Sequence, residues 1–460
     1  KGLSSDTRTL NKGDLFVGIS GTKADGCLFI AEAQRKGAAA VVVSADSLIP
    51  EDLAIPVLRT NDPRRTLAHL ASVFYPGQPE TVVAVTGTSG KSSVSEFSRQ
   101  IFEMCGHVSA SLGTIGIVSS RHTVYGSLTT PDPISLHKIL SNLHKEGITH
   151  LAMEASSHGL EQRRLDEVKI KAAAFTNLGR DHLDYHSTME EYFSAKMRLF
   201  RNLLPPEAPA IVNIDGARSR DVISEVLKLG HPVFQVGRGG VDVDLLGIEM
   251  ADFTQNLKIK HQGQVYKIKF PLIGFYQVEN ALVALGLALA LGEAPQVVFD
   301  ALSHLQGVKG RLEVVGKRNG GLAIVDYAHK PEALAAALEA CASFVSGKLI
   351  CVFGCGGDRD KGKRPIMGEI AARKSHLVIV TDDNPRSEDP AHIRKEILVG
   401  APHATEIGDR AEAIKAAVKI MEPGDVVLVA GKGHETGQIV GDKIYPFSDH
   451  DVLLEALKKV

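Results

Sequence analysis

Residues 82–93, Val-Val-Ala-Val-Thr-Gly-Thr-Ser-Gly-Lys-Ser-Ser, join an apolar β-branched run to a small-residue turn and a Lys-Ser pair. The run reads as a buried strand, and the amphipathic residues 94–105 read as a helix. Strand, glycine-bearing turn and helix in this order form a phosphate-binding loop. Its backbone N–H groups cradle phosphate oxygens, the Lys91 ammonium reaches the outer phosphates, and the Ser92 hydroxyl holds Mg2+. The predicted chemistry is the handling of a nucleoside triphosphate. The usual pattern carries glycine where this chain has Val85, and Gly87 supplies the early backbone freedom instead.

Two further segments carry candidate metal chemistry. Glu154 ends an apolar run and opens Glu-Ala-Ser-Ser-His-Gly, so its carboxylate would stand at the same rim as the phosphate loop, where it could complete a Mg2+ site or belong to a helix N-cap. Residues 176–186, Thr-Asn-Leu-Gly-Arg-Asp-His-Leu-Asp-Tyr-His, follow a predicted strand and precede a helix that carries Lys196. Carboxylate and imidazole there suit a divalent ion shared with phosphates, and from spacing alone they suit a helix-capping loop equally well.

The elements that must position these groups fall into three blocks, as the chain length of 460 residues suggests. Residues 1–78 read as a small α/β unit that ends in the linker-like Tyr-Pro-Gly-Gln-Pro of residues 75–79. Residues 79–310 alternate strands with helical patterns, which predicts a mostly parallel, doubly wound sheet, with a more β-like insert at residues 257–270 and a helix at 278–291. Residues 311–460 read as a Rossmann-like unit with strands at 322–325, 349–353, 377–380 and 426–429. Each of these four strands is followed by a polar cluster: Asp-Tyr-Ala-His at 326–329, Gly-Cys-Gly-Gly-Asp-Arg-Asp at 354–360, Thr-Asp-Asp-Asn-Pro-Arg at 381–386 and Ala-Gly-Lys-Gly-His-Glu at 430–435. Strand C-termini of a parallel sheet share one edge, so the four clusters are expected to face one ligand crevice. Arg359 and Arg386 in these clusters could pair with carboxylates in bidentate fashion.

Composition narrows the class. The 52 basic and 54 acidic side chains nearly cancel, which gives no field to steer nucleic acid or a membrane surface toward the chain. The longest apolar stretch, residues 281–291, is about half the ~20 residues of a membrane span, so no span is predicted. No signal-peptide pattern is read, and a start at Lys1 rather than Met places the expected native N-terminus upstream. Five scattered cysteines fit a reducing cytosol, and the Cys351/Cys355 pair lacks the partners that a zinc module needs. No repeat, heptad or low-complexity tract suggests a scaffold.

Taken together, these residues resemble the Mur ligases of peptidoglycan precursor synthesis over essentially the whole chain. The carrying motifs are Thr-Gly-Thr-Ser-Gly-Lys-Ser at 86–92, residues 154–159, residues 176–186, Tyr-Gln-Val-Glu-Asn-Ala at 276–281 and Asp-Tyr-Ala-His at 326–329. Gly-Asp-Arg-Asp-Lys-Gly-Lys-Arg-Pro at 357–365, Asp-Asn-Pro-Arg at 383–386 and Gly-Lys-Gly-His-Glu at 431–435 resemble the branch that adds meso-diaminopimelate. The extra carboxylate of that amino acid suits a guanidinium clamp, and lysine has no such group.

The resemblance implies an ATP-dependent ligase that works in the cytoplasm as a monomer, through an acyl phosphate. Its partners would be ATP, UDP-N-acetylmuramoyl-L-alanyl-D-glutamate and meso-diaminopimelate. Gly87, Thr88, Ser89, Gly90, Lys91, Ser92, Ser93, Asn280, Asp326 and His329 would bind ATP. Ser92, Glu154, His182 and a CO2-carbamylated Lys196 would gather Mg2+, with Lys91, His182 and Lys196 as the catalytic group. Ser5, Thr7, Gly21, Thr22, Lys23, Thr129, Thr130, Ser156, Gln162 and Arg164 would hold the UDP-linked acceptor. Arg359, Asp383, Asn384, Pro385, Arg386, Gly431 and Glu435 would hold diaminopimelate. Folylpolyglutamate synthase is the nearest rival but lacks the small first unit and the Asp-Asn-Pro-Arg cluster. A nucleotide-gated switch is the rival from another class, and such a protein needs no amino-acid pocket.

Overall fold

The computed structural model describes residues 1–21, 25–126, 128–181, 185–251 and 254–458. Three sheets follow one another along the chain. The first is a four-stranded, all-parallel sheet of Leu3–Ser4, Leu15–Val17, Ala40–Ser44 and Val57–Thr60, paired in sequence order. Its last helix, Pro63–Phe74, starts with an Asp62 side-chain cap and packs on the helix Pro133–Lys145 of the second unit. The Arg163–Asp62 ion pair at 2.8 Å crosses the same junction.

The second sheet has eleven strands. At its centre the phosphate-loop strand Thr81–Thr86 lies between Ala172–Phe175 and His150–Glu154, both parallel to it. Alternation assigns the faces of this strand: Val83 and Val85 pack with Phe97, Ile101 and the long apolar helix Phe275–Ala290, whereas Val82 and Ala84 pack with Leu136, Leu140 and Tyr192 on the opposite side. The register sets Val85 beside Glu154 and Thr86 beside Phe175, so the three strands end together. The sequence predicted a mostly parallel sheet, and this holds for the middle. Both edges turn antiparallel, through Gly116–Ser119 and Thr123–Tyr125 on one side and Thr254–His261 and Gln264–Phe270 on the other. The expected β-like insert therefore begins earlier, at the strand Val243–Ala251, because Asp244, Glu249 and Gly247 mask its apolar alternation.

The third sheet orders its strands Glu313–Arg318, Gly321–Asp326, Val426–Ala430, Leu349–Phe353, Leu377–Val380 and Thr405–Glu406. All but the first are parallel, and Asp326, Ala430, Phe353 and Val380 are register neighbours at one edge. The four strands read from the sequence are all present. No described helix is long and apolar enough to cross a membrane.

The C-terminal helix Asp449–Lys458 is fixed to this sheet by a wholly buried ion pair. Arg410 donates to both carboxylate oxygens of Asp449, at 2.7 and 2.8 Å, and to the Ala430 carbonyl at 2.9 Å. Removing one partner leaves the other charge desolvated. Arg410→Ala is therefore expected to lower unfolding stability by about 3–5 kcal/mol, measured by urea denaturation. A loss under about 1 kcal/mol, the range of an exposed pair, would overturn this assignment.

Candidate functional site

The phosphate loop has the backbone its chemistry needs. Gly90 adopts φ +87°, and a Cβ there would lie 2.2 Å from Asn280 Oδ1. Gly87 adopts φ +145°, and a Cβ there would lie 1.9 Å from Thr176 Oγ1. Only glycine fits at either place. The Lys91 ammonium donates to the Gly87 and Thr88 carbonyls at 2.9 Å. Lys196, 1% exposed, donates to the same Gly87 carbonyl at 2.7 Å. Burial pulls Lys91 down to about 8, and burial together with the neighbouring Lys91 charge pulls Lys196 far below the ordinary lysine value.

Glu154 faces this pair from the next strand. Its carboxylate accepts from the Ser92 hydroxyl at 2.8 Å and from the Thr114 backbone N–H at 2.7 Å. Two oxygen donors so placed beside a phosphate loop suit a hard divalent cation. His182 lies outside the described residues. Its neighbour Asp181 pairs with Lys330, at the start of the third unit's helix Pro331–Ala342. Sequence reasoning placed Asp181 in the metal-capable segment 176–186 but missed Lys330 and the pairing. The available signal was a lysine at a helix N-terminus, where the helix dipole disfavours a cation unless a carboxylate faces it.

A cavity of about 310 Å3 runs from the phosphate loop to the junction of the second and third units. Thr88, Ser89, Gly90, Ser93, Asn280 and Asp326, all among the residues expected from the sequence to bind ATP, line it together with Tyr276, Glu279 and Lys330. Asp326 is pinned by the Leu312 and Ala328 backbone N–H groups at 2.7 and 2.8 Å, and burial raises its carboxyl to about 6. His329, predicted to approach the nucleotide, lines the neighbouring cavity, and its Nδ1 lies 2.8 Å from the Tyr327 carbonyl.

That second cavity holds about 1080 Å3. Arg359, Asp383, Asn384, Arg386, Gly431 and Glu435 meet on its walls, so the four clusters do share a crevice, and Pro385 lies between two of its lining residues. The buried Lys432 ammonium bonds Asn384 Oδ1 and Glu435 Oε2, both at 2.9 Å, and Asn384 donates to Glu435 at 3.0 Å. Arg386 sits at φ +51° and donates to the Gly357 carbonyl at 2.8 Å. Its strained backbone is clamped by the hairpin Gly437–Pro446, through Ile439 O at 3.0 Å and the Gly441 N–H at 2.7 Å. Sequence reasoning did not find this hairpin, and it included Lys432 in the 430–435 cluster without giving it a role. The two cavities share Arg180, Lys330 and Glu332 as a common wall.

The acceptor candidates of the central unit also come together. The Thr130 hydroxyl donates to the Glu154 carbonyl at 3.0 Å and accepts from Ser156 N and Oγ, and Thr129 meets Thr114 at 3.0 Å. Arg164 donates to the Thr130 carbonyl at 2.7 Å and to Gln162 Oε1 at 2.8 Å. In the first unit, Thr7 is buried and its carbonyl takes the Lys36 ammonium at 2.7 Å, Ser5 is half-buried beside it, and Gly21 is exposed. Thr22 and Lys23 lie outside the described residues. Arg64 links this region to the acceptor cluster: it donates to Ser20 O at 2.7 Å and its charge acts on Arg164.

Family profiles match three stretches: "Mur ligase family, catalytic domain" over residues 1–75, "Mur ligase middle domain" over 85–288 and "Mur ligase, glutamate ligase domain" over 310–433. The chain is 55% identical to UDP-N-acetylmuramoyl-L-alanyl-D-glutamate--2,6-diaminopimelate ligase of Rhizobium meliloti, covering 99% of this chain and 94% of that one. It is 52% identical to the protein of the same name from Bradyrhizobium diazoefficiens, with the same coverage. A solved structure titled as that ligase is 32% identical, with a TM-score of 0.72, covering 99% of this chain and 94% of the other. A folylpolyglutamate synthase of Mycobacterium tuberculosis shares the fold at 17% identity and a TM-score of 0.65, but covers only 80% of this chain.

Lys91 titrates at about 8 when folded against an ordinary value of 10.5, so between these values the unfolded chain binds more protons and stability rises with pH. Below that window the ligand-free fold carries the full cost of a buried ammonium. Lys91→Met is expected to raise the urea midpoint of the ligand-free protein at pH 7 and to flatten the stability slope between pH 8 and 10.5. A lower midpoint with an unchanged slope would contradict the desolvated setting of Lys91.

Proposed function

The chain belongs to the Mur ligase family, and on that premise we propose that it joins meso-diaminopimelate to UDP-N-acetylmuramoyl-L-alanyl-D-glutamate at the expense of ATP. The observation that carries this reading is the common wall of the two cavities, Arg180, Lys330 and Glu332. A carboxylate activated at the phosphate loop can meet an amine from the second cavity across this shared wall.

The D-glutamyl γ-carboxylate attacks the γ-phosphorus of ATP, the bond to the bridging oxygen breaks, and ADP leaves an acyl phosphate. The free amine of diaminopimelate then attacks the acyl carbon, the tetrahedral intermediate collapses, and phosphate departs as the amide forms. Activation comes first because a carboxylate is a poor electrophile. Lys91 and the N–H groups of the phosphate loop hold the transferring phosphoryl group, and Lys330 adds a cation at the junction of the cavities. Ser92 and Glu154 would hold Mg2+, with His182, and the ion when bound neutralises charge on the phosphate oxygens. Lys196 is the candidate for carbamylation: its neutral amine adds to CO2 with loss of a proton, which converts a lysine into an anionic metal ligand. Its low proton affinity beside Lys91 supports that role.

Thr129, Thr130, Ser156, Gln162 and Arg164 hold the muramoyl-dipeptide end in this scheme, and Ser5, Thr7 and residues 21–23 the uridine end. In the second cavity Arg386 takes the distal carboxylate of diaminopimelate, Asp383 and Glu435 face its distal ammonium, and Arg359 with Asn384 and Gly431 completes the site. Five free cysteines support a reducing, cytoplasmic setting, and we propose a monomer.

The test is phosphate release from ATP with the UDP-muramoyl dipeptide present, comparing meso-diaminopimelate, L-lysine and no amino acid. Release that requires diaminopimelate is expected. Lysine-dependent release would overturn the clamp, and release indifferent to both would favour a nucleotide switch. Arg386→Asn, which tolerates the positive φ, is expected to raise KM for diaminopimelate about 10- to 100-fold and leave KM for ATP near its original value. Equal effects on both would remove Arg386 from the amino-acid site.

A further inference from the structure

Two strand-end loops of the third unit lie edge to edge in the wall of the second cavity. Residues 354–360 follow the strand Leu349–Phe353, and residues 381–388 follow Leu377–Val380. The approach is close: a Cβ on Gly357 would lie 1.9 Å from the Pro385 carbonyl oxygen. Each loop carries one non-glycine residue in the left-handed region, Asp358 at φ +54° and Arg386 at φ +51°. Glycine would hold either backbone without steric cost, so a side chain kept at such a place is a candidate for function.

The Asp358 carboxylate meets Ser387, the residue that follows Arg386. Its Oδ1 accepts from the Ser387 hydroxyl at 2.6 Å and its Oδ2 from the Ser387 backbone N–H at 3.2 Å. The Asp358 N–H donates to Glu388 Oε1 at 2.6 Å. Glu388 is gripped in turn by Arg364 of the helix Lys363–Lys374, which donates to its two oxygens at 2.9 and 3.0 Å. These bonds hold the Glu388 carboxyl down at about 2, so the acceptor is ionised near neutral pH.

Arg386 is therefore held from two directions. The hairpin Gly437–Pro446 fixes its N–H and carbonyl, and Asp358 fixes the peptide that follows it. The guanidinium then returns to the loop of Asp358: Nη1 donates to the Gly357 carbonyl at 2.8 Å and approaches the Asn384 carbonyl at 3.5 Å. Both contacts use Nη1, which leaves Nε and Nη2 as a side-on pair of donors for a carboxylate. Gly357 and Asp358 are chain neighbours, so one short segment anchors both the guanidinium and the backbone of Arg386.

We propose that Asp358 is a positioning residue for the amino-acid substrate: its carboxylate buckles the two loops through Ser387 and fixes the direction in which Arg386 presents its Nε–Nη2 edge. This rests on the reading of the second cavity as the diaminopimelate site. Asp358 lines that cavity, yet each of its carboxylate oxygens accepts from Ser387, so it acts through Arg386 rather than by touching the amino acid. Without the buckle Arg386 samples directions that miss the distal carboxylate, and binding bears the cost of ordering it. That cost falls on diaminopimelate and leaves ATP alone.

The test is diaminopimelate-dependent phosphate release, with diaminopimelate or ATP varied in turn. Asp358→Gly suits the left-handed backbone and removes only the carboxylate. It is expected to raise KM for diaminopimelate about tenfold, with kcat within about twofold and KM for ATP unchanged. Ser387→Ala keeps the backbone donor and should raise the same KM about threefold. Asp358→Asn tolerates the positive φ and keeps an acceptor for Ser387, so it should bring KM back to within about threefold of the unsubstituted chain. In an Arg386→Asn background, Asp358→Gly should add less than about twofold, because the group it positions is gone. Equal rises in KM for diaminopimelate and ATP, or full addition of the two effects in that background, would overturn the proposal and leave the ligase reading intact. No diaminopimelate-dependent release from the unsubstituted chain would overturn that reading and the proposal with it.

Discussion

Two lysine side-chain nitrogens donate to one carbonyl oxygen, that of Gly87, inside a protein interior. Charging both is unfavourable, since two desolvated ammonium groups would repel each other, and Lys196 is the one whose proton affinity falls furthest. Much of the surrounding architecture answers this cost. Glu154 and Asp181 bring opposite charge toward Lys91, and Asp181 is in turn tied to Lys330 of the third unit. A phosphate chain would supply the remaining anionic charge. The electrostatic need of the phosphate loop thus reaches across the junction between units.

The third unit solves a different problem. Its ligand-facing residues stand on loops, which are mobile unless tied down. Buried cations tie them here. Lys432 fixes Asn384 and Glu435. Arg364, wholly buried, grips Glu388 at 2.9 Å, and Glu388 holds the Asp358 N–H at 2.6 Å. Arg410 anchors the floor through Ala430 and Asp449. The exposed hairpin Gly437–Pro446 then clamps Arg386 in a left-handed conformation, so its guanidinium is aimed by backbone geometry rather than by packing alone.

The central unit links these parts through register. Val85 beside Glu154 and Thr86 beside Phe175 place three loops at one rim. Every acceptor candidate of that unit is within one or two hydrogen bonds of Glu154 or Thr130. The same helices that begin at this rim end at the His107–Glu293 contact, so the two edges of the sheet are mechanically connected.

Local pattern determined a large part of this protein. The glycines at 87 and 90, Lys91 and Ser92 announce the phosphate loop because that motif is contiguous and each residue answers a steric or electrostatic demand within a few positions. The four strand-end clusters were legible for the same reason, since strand period and the parallel-edge rule need only neighbouring residues. The pairing of Lys330, the role of Lys432, the Arg386 clamp and the His107–Glu293 contact were not legible. Each depends on partners dozens to hundreds of positions away, and even where a lysine's place at a helix N-terminus calls for a carboxylate, local sequence does not say which one. Sequence determined which chemistry the chain carries. Tertiary structure decided which charges are buried together, because that follows from sheet register and packing between units rather than from spacing along the chain.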